Sequence, residues 1–330
     1  MMETGLDLSR WREKPRGVGY RRGAIVAAGL RELFQLRLFT LLVFIALGAG
    51  MVIAALGFLF SQSVGDGGLL QTLAGHLGVR FSAIVTMADA LAALYPDVVI
   101  GALFTTIFWV HSFLGLGLSL LALTLVVPRL ITRDRASHAL TVYLSRPLTS
   151  ADYLLGKLGT IVSVLLLVWT GPLLLGWLLS MVLAPDRDFI VHSFPPLLHA
   201  LAFNAISLVV LAAVALGVSA SAPSSRAAIM MWVALWVALR TLGKMPHAPD
   251  LIRRASFTHD LGEVRARVLR LDAALTDAGT DLPLLDQRFA RELKSAGAAA
   301  EGADFPGALA GLGVFCVISS FVFLRRLRPE

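Results

Sequence analysis

The sequence predicts an all-α integral membrane protein: six transmembrane helices, an N-terminal amphipathic interface helix, a charged helix on the cytoplasmic face and a small external helical hairpin. Two observations carry this expectation. Hydrophobic residues make up 57% of the 330-residue chain and charged residues only 15%, against about 25% charged in an ordinary soluble domain. Mean hydropathy is +0.76, and several apolar runs exceed the ~18 residues that mark a transmembrane candidate. Lysine and arginine also gather beside alternate ends of those runs, as membrane topology requires. Each run is read as a helix, because irregular backbone facing lipid leaves peptide groups unsatisfied.

In chain order, residues 1–20 mix glycine, proline and charge and read as a cytoplasmic tail. Residues 21–38 place Ile25, Val26, Leu30, Leu33, Phe34 and Leu38 on one helical face, with Arg22, Arg31 and Arg37 elsewhere. That pattern is a basic amphipathic helix lying on membrane lipid. Span one covers 39–60. Residues 61–97 are semi-apolar, with polar breaks that suit an interfacial or re-entrant helix. Span two covers 98–127 and is stopped by Pro128. Span three covers 158–184 with Pro172 inside it, span four 197–220, span five 227–242 and span six 305–324. The segment 243–304 is helical in pattern. Val264, Val268, Leu271 and Leu275 recur at spacings of three and four, as do Leu285, Phe289 and Leu293 after Pro283. This segment reads as a solvated connector, or else as a contact for a periplasmic partner or a cap over a pathway.

Orientation follows from charge. Seventeen lysines and arginines flank the spans on the side of both termini, including Arg129, Arg133, Arg135, Arg146, Lys157 and Arg226. The two shorter loops on the other side carry only Arg80 and Arg187. An even number of spans then puts both termini in the cytoplasm. Segment 243–304 carries nine basic and ten acidic residues, but long loops translocate largely regardless of charge. The formal net charge of +7 is explained by these flanks, so no nucleic-acid partner is expected. The single cysteine, Cys316, allows no intrachain disulfide.

Several chemistries lack their residues. Gly156-Lys157 has Ala151 where a phosphate-binding loop needs glycine, and Gly243-Lys244 has Ala238. No histidine pair has helix-face metal spacing, so no metal is expected. No charged residue sits near the centre of a span, which argues against an ion-coupled pump. His111 and Asn204 are the polar span residues that either pack internally or line a pathway.

The most informative stretch follows span two. Residues 130–144 read as a short helix across the cytoplasmic face, with Arg133, Asp134 and Arg135 near its start and Leu140, Tyr143 and Leu144 apolar. Ser145, Arg146 and Pro147 lead into a turn, Ser150 or Asp152 caps span three, and Gly156-Lys157 opens it. Asp134-Arg135, Leu140, Leu144, Ser145, Pro147, Ser150, Asp152, Gly156 and Lys157 together resemble the type 2 (export-type) permeases of ATP-binding cassette transporters. The Leu-Ser-Arg-Pro-Leu stretch is similar to that of the branch serving gliding motility and nitrous-oxide-reductase maturation. Where many members have an acidic residue and Gly-Thr before the leucine, this chain has Ala136, His138 and Ala139.

The resemblance implies a non-catalytic subunit of an ATP-driven transporter in a bacterial inner membrane. It implies a separate cytoplasmic ATPase subunit, which would bind ATP and magnesium. A second permease subunit, identical or not, would complete the assembly. Residues 130–144 would be the coupling helix seated in the ATPase. Arg133, Asp134, Arg135 and Arg146 would supply charge complementarity, and Leu140, Tyr143 and Pro147 the apolar anchor and turn. The rival reading is a membrane anchor of the same fold that passes ATP-driven motion to an external partner without moving a solute.

Overall fold

A computed structural model describes residues 17–62, 76, 79–132, 134, 150–184, 188–243, 254–282, 287–300 and 304–326. Among these residues there is no strand. The helices are α1 (Val18–Phe34), α2 (Arg37–Ser61), α3 (Val79–Leu94), α4 (Pro96–Val127), α5 (Ser150–Leu165), α6 (Gly171–Leu183), α7 (Asp188–Ser221), α8 (Ser225–Gly243), α9 (Phe257–Leu269), α10 (Leu271–Asp281), α11 (Gln287–Ala300) and α12 (Phe305–Arg326). Among the described residues, five stretches are long and apolar enough to cross a membrane: Arg37–Ser61, Pro96–Thr132, Asp152–Leu183, Phe189–Ser221 and Phe305–Arg325. They coincide with predicted spans one to four and six. α8 stands where span five is expected. Its 19 residues extend about 28 Å, close to the ~30 Å hydrocarbon thickness.

Two helices depart from regular α geometry, each at a proline. After Val127 the chain passes through a π turn, Pro128–Thr132, so Pro128 ends the α-helical bonding without ending the rod. Pro172 follows a second π turn, Leu166–Thr170. A proline ring has no N–H and crowds the carbonyl four residues earlier. Widening one turn accommodates that loss without a break, and the backbone therefore runs on from α5 into α6 as one span, Asp152–Leu183.

α2 lies along α6, α1 along α5, and both α4 and α12 against α7. The main core holds the fully buried Phe39, Phe104, Phe108, Phe203 and Trp232. Trp232 donates its indole N–H to the Leu120 carbonyl at 3.1 Å. Burial of these aromatic faces, with that N–H satisfied, fixes α8 onto α4.

Segment 243–304 departs from a solvated connector. Phe257, Leu261 and Val264 of α9 are fully buried in the main core, where α9 packs on α12, α7 and α8. Ser256 caps α9 by accepting from the His259 N–H at 3.2 Å. Only α10 and α11 form a hairpin set apart. They pack on each other, and Leu91, Ala278 and Leu282 make a second small core with Val98 and Val99 of α4. α4 has 32 residues, about 48 Å of rod, longer than a ~30 Å hydrocarbon layer. Its N-terminal end is what the hairpin packs on.

Where α9 crosses α12, Asp260 is 1% exposed, and its Oδ2 has no hydrogen-bond partner among the described residues. It sits against Gly311, where a β-carbon would collide with it. Arg254 pairs instead with Asp304. Burial pushes the Asp260 carboxyl up to about 7; Arg254 opposes the rise, and Glu263 and Asp304 add to it. A carboxyl raised in the folded state is bound by its proton there at a pH where the unfolded chain has released it. Stability from this group is therefore complete below about pH 4 and is lost as pH rises through about 7. Thermal melts of the purified protein are expected to fall between about pH 4 and 7. Asp260→Asn should flatten that dependence; an unchanged slope in the variant would assign it to other groups.

Candidate coupling site

The described part of the site is a mount built where α1, the end of α4 and the start of α5 meet. α1 forms because its apolar residues recur at helical spacing, and it lies on α5. Close approach is possible because α5 opens with small residues. A β-carbon on Gly156 would come within 2.9 Å of the Ile25 side chain, and one on Gly159 within 2.7 Å of Val26 Cγ2. Glycine at 156 is thus required by the neighbour it admits. One turn away, Arg22 donates from Nε and Nη2 to Asp152 Oδ1 at 2.9 and 2.6 Å. Asp152 is buried, so this pair ties the entry helix to the first turn of α5.

Asp134 is the described member of the predicted charged group. Lys157 Nζ lies 2.7 Å from Asp134 Oδ2, and the Tyr153 hydroxyl donates to the same oxygen at 2.7 Å. Side-chain exposure is 15% for Lys157 and 16% for Asp134, so the pair is screened little by water. Lys157 also donates to the Arg129 carbonyl at 3.3 Å, and the Tyr153 hydroxyl, its proton on Asp134, lies 3.3 Å from the Leu130 carbonyl. Two residues of α5 at i and i+4 therefore grip both the π turn and the residue beyond it. Helical spacing places them on one face.

The π turn is held from two further sides. The Ile131 N–H donates to Ser219 Oγ at 3.1 Å, and Thr132 Oγ1 donates to the Ser219 carbonyl at 2.9 Å. These bonds fix it to the end of α7. Arg129 Nε stands 3.3 Å from Glu32 Oε1 of α1, ion-pair distance without hydrogen-bond alignment, while Arg129 Nη1 donates to the Leu125 carbonyl at 2.7 Å. Exposed ion pairs of this kind contribute about 0–1 kcal/mol each. The half-buried Asp134 clamp and the buried Ser219 bonds are the firmer parts of the mount. The arrangement holds a chain segment in one place.

Arg133, Arg135, Leu140, Tyr143, Arg146 and Pro147 lie outside the described residues, as does most of 130–144. His111 and Asn204 are both buried. Asn204 donates to Thr170 Oγ1 in the second π turn at 3.4 Å, while His111 Nδ1 has no partner among the described residues. Two clefts of about 260 Å³ occur, one lined by Asp97, Thr105, His199 and Arg270, the other by Pro128, Arg129, Ser225 and Ile229. Neither is lined by His111 or Asn204. No group of His, Cys, Asp and Glu among the described residues is arranged to hold a metal ion. Sequence reading gave Asp152 only a capping role, placed Arg22 on the entry helix without naming its partner, and gave Glu32 and Tyr153 no role. The signal available for Tyr153 was its i+4 relation to Lys157.

No family model matches the chain, and no curated protein matches its sequence.

Proposed function

We propose that this chain is the transmembrane permease subunit of an ATP-binding cassette exporter in a bacterial inner membrane. In this reading both termini are cytoplasmic, α8 is the fifth of six spans, and residues 130–144 are the coupling helix. A separate cytoplasmic ATPase binds ATP and magnesium, and a second permease subunit completes the assembly. The observation that carries the reading is the clamp on Asp134. A lever transmits force only if its root is rigid. Here the root is pinned to α5 through Lys157 and Tyr153, to α7 through Ser219 and to α1 through Arg129 and Glu32. Closure of the ATPase pair would then tilt α4, α5 and α7 as a unit.

A second reading, a membrane anchor passing ATP-driven motion to an external partner, draws on the α10–α11 hairpin. That hairpin is seated on the N-terminal end of α4, the same rod whose opposite end carries the clamp. Motion of α4 would reach it directly. Deleting 283–300 separates the two: transport survives if the hairpin only covers α4.

The test of the coupling role is co-expression with a candidate ATPase, one encoded beside this chain. The wild-type chain is expected to capture the ATPase on affinity purification. The Asp134→Lys/Arg135→Glu variant is expected to insert at normal levels and lose at least about tenfold of the capture, the scale of one buried charge pair. Full capture by the variant would remove 130–144 from the interface.

A further inference from the structure

A cationic, aromatic-backed patch remains that the coupling mechanism does not use. Arg265 of α9 lays its guanidinium over two rings of α4, 3.4 Å from the Phe113 centroid and 5.1 Å from that of Trp109. Its Nε is buried without a hydrogen-bond partner among the described residues. Arg240, on the last turn of α8, lies close enough for its charge to be felt at Arg265. Among the described residues no carboxylate pairs with either arginine. Two neighbouring guanidiniums repel each other, and an anion placed between them relieves that repulsion.

The surroundings specify the rest of the ligand. Phe113 is 49% exposed on its other side, and Val110, Leu114 and Leu121 continue the same face of α4 as exposed apolar residues. Gly117 lies within that stripe with open space where a side chain would stand. A shallow apolar track therefore leads from the two arginines along a membrane-crossing helix. We propose that Arg265 and Arg240 bind the headgroup of an anionic lipid, and that its acyl chain lies along Val110, Leu114, Gly117 and Leu121. A second copy of this chain is the poorer occupant, because a twofold contact centred on the patch would set arginines against arginines. The arginine fork suits a phosphate in two-point contact, and the ring faces hold Arg265 in place by cation–π attraction.

This inference rests on these helices crossing a bilayer and not on ATPase coupling, so lipid selectivity and ATPase capture fail independently. The full chain, purified in detergent, is incubated with equimolar phosphatidylglycerol and phosphatidylcholine, and bound lipid is counted by native mass spectrometry. Phosphatidylglycerol is expected to be retained about tenfold over phosphatidylcholine. Arg240→Gln, a change at an exposed position, should lower that preference several-fold. Arg265→Lys should keep part of it and Arg265→Gln abolish it. Equal retention of the two lipids by the wild type, or an undiminished preference in Arg240→Gln and Arg265→Gln together, overturns the assignment. Glycerol 1-phosphate is the last arm. If it displaces the lipid at equal concentration, the apolar track contributes nothing and the site is for a soluble phosphate instead.

Discussion

Replacing Lys157 by methionine is expected to lower ATP turnover of the proposed permease–ATPase complex by about tenfold, a coupling change of about 1.4 kcal/mol. The substitution keeps the length and apolar stem of the side chain and removes only its charge. Asp134 keeps the Tyr153 hydroxyl but loses the ammonium that faces it. Removing that charge from beside a carboxylate at 16% exposure costs about 2 kcal/mol relative to the intact pair, which loosens the root of the 130–144 segment. The charge-swapped double variant, Asp134→Lys with Lys157→Asp, should recover much of the loss, since the two side chains face each other at ion-pair distance. ATP hydrolysis in proteoliposomes reads the outcome. Turnover at the wild-type level in Lys157→Met would mean that the clamp stands outside the path of force.

The second large effect is expected at the crossing of α2 and α6. A β-carbon on Gly176 would collide with the Gly50 carbonyl oxygen, and one on Gly50 would lie 2.5 Å from the Pro172 carbonyl oxygen. Backbone meets backbone here, so no side chain can rotate out of the way. Close approach through small residues is how helices associate where lipid removes the hydrophobic drive. Gly176→Ala should cost about 1–3 kcal/mol, the usual penalty of overpacking. Gly176→Leu should abolish recovery of monodisperse protein. Gly48 supplies the control, because a β-carbon there meets nothing within 4 Å. Gly48→Ala should leave the protein as stable or raise stability by up to about 1 kcal/mol, the helix-propensity gain. Size-exclusion profiles and thermal melts of the three variants check both directions.

How much of this was legible in the sequence depends on the kind of signal. The apolar runs and the face of Ile25, Leu30 and Leu33 were legible because burial by lipid or by a neighbouring helix leaves a local periodic trace. The segment 254–269 misled for the same reason. Val264 and Val268 recur at helical spacing, which fits either a surface helix or a core helix. The charged Asp260, Glu263 and Arg265 sit instead against Gly311, the Asp304 N–H and the rings of Trp109 and Phe113. Those compensations are contacts between distant parts of the chain, and no window of sequence contains them. The π turns were illegible because prolines 128 and 172 announce a disturbance without saying whether the helix stops or widens. In the site, Asp134, Gly156 and Lys157 were legible as a motif. The pairing of Arg22 with Asp152 across 130 residues was not.

In the proposed topology residues 130–144 face the cytoplasm on a rigid root. A single cysteine introduced at position 136, in a Cys316→Ser background, tests this with a membrane-impermeant maleimide. Labelling is expected in inverted vesicles, with protection in intact cells. Labelling of intact cells from the periplasmic side would overturn the placement.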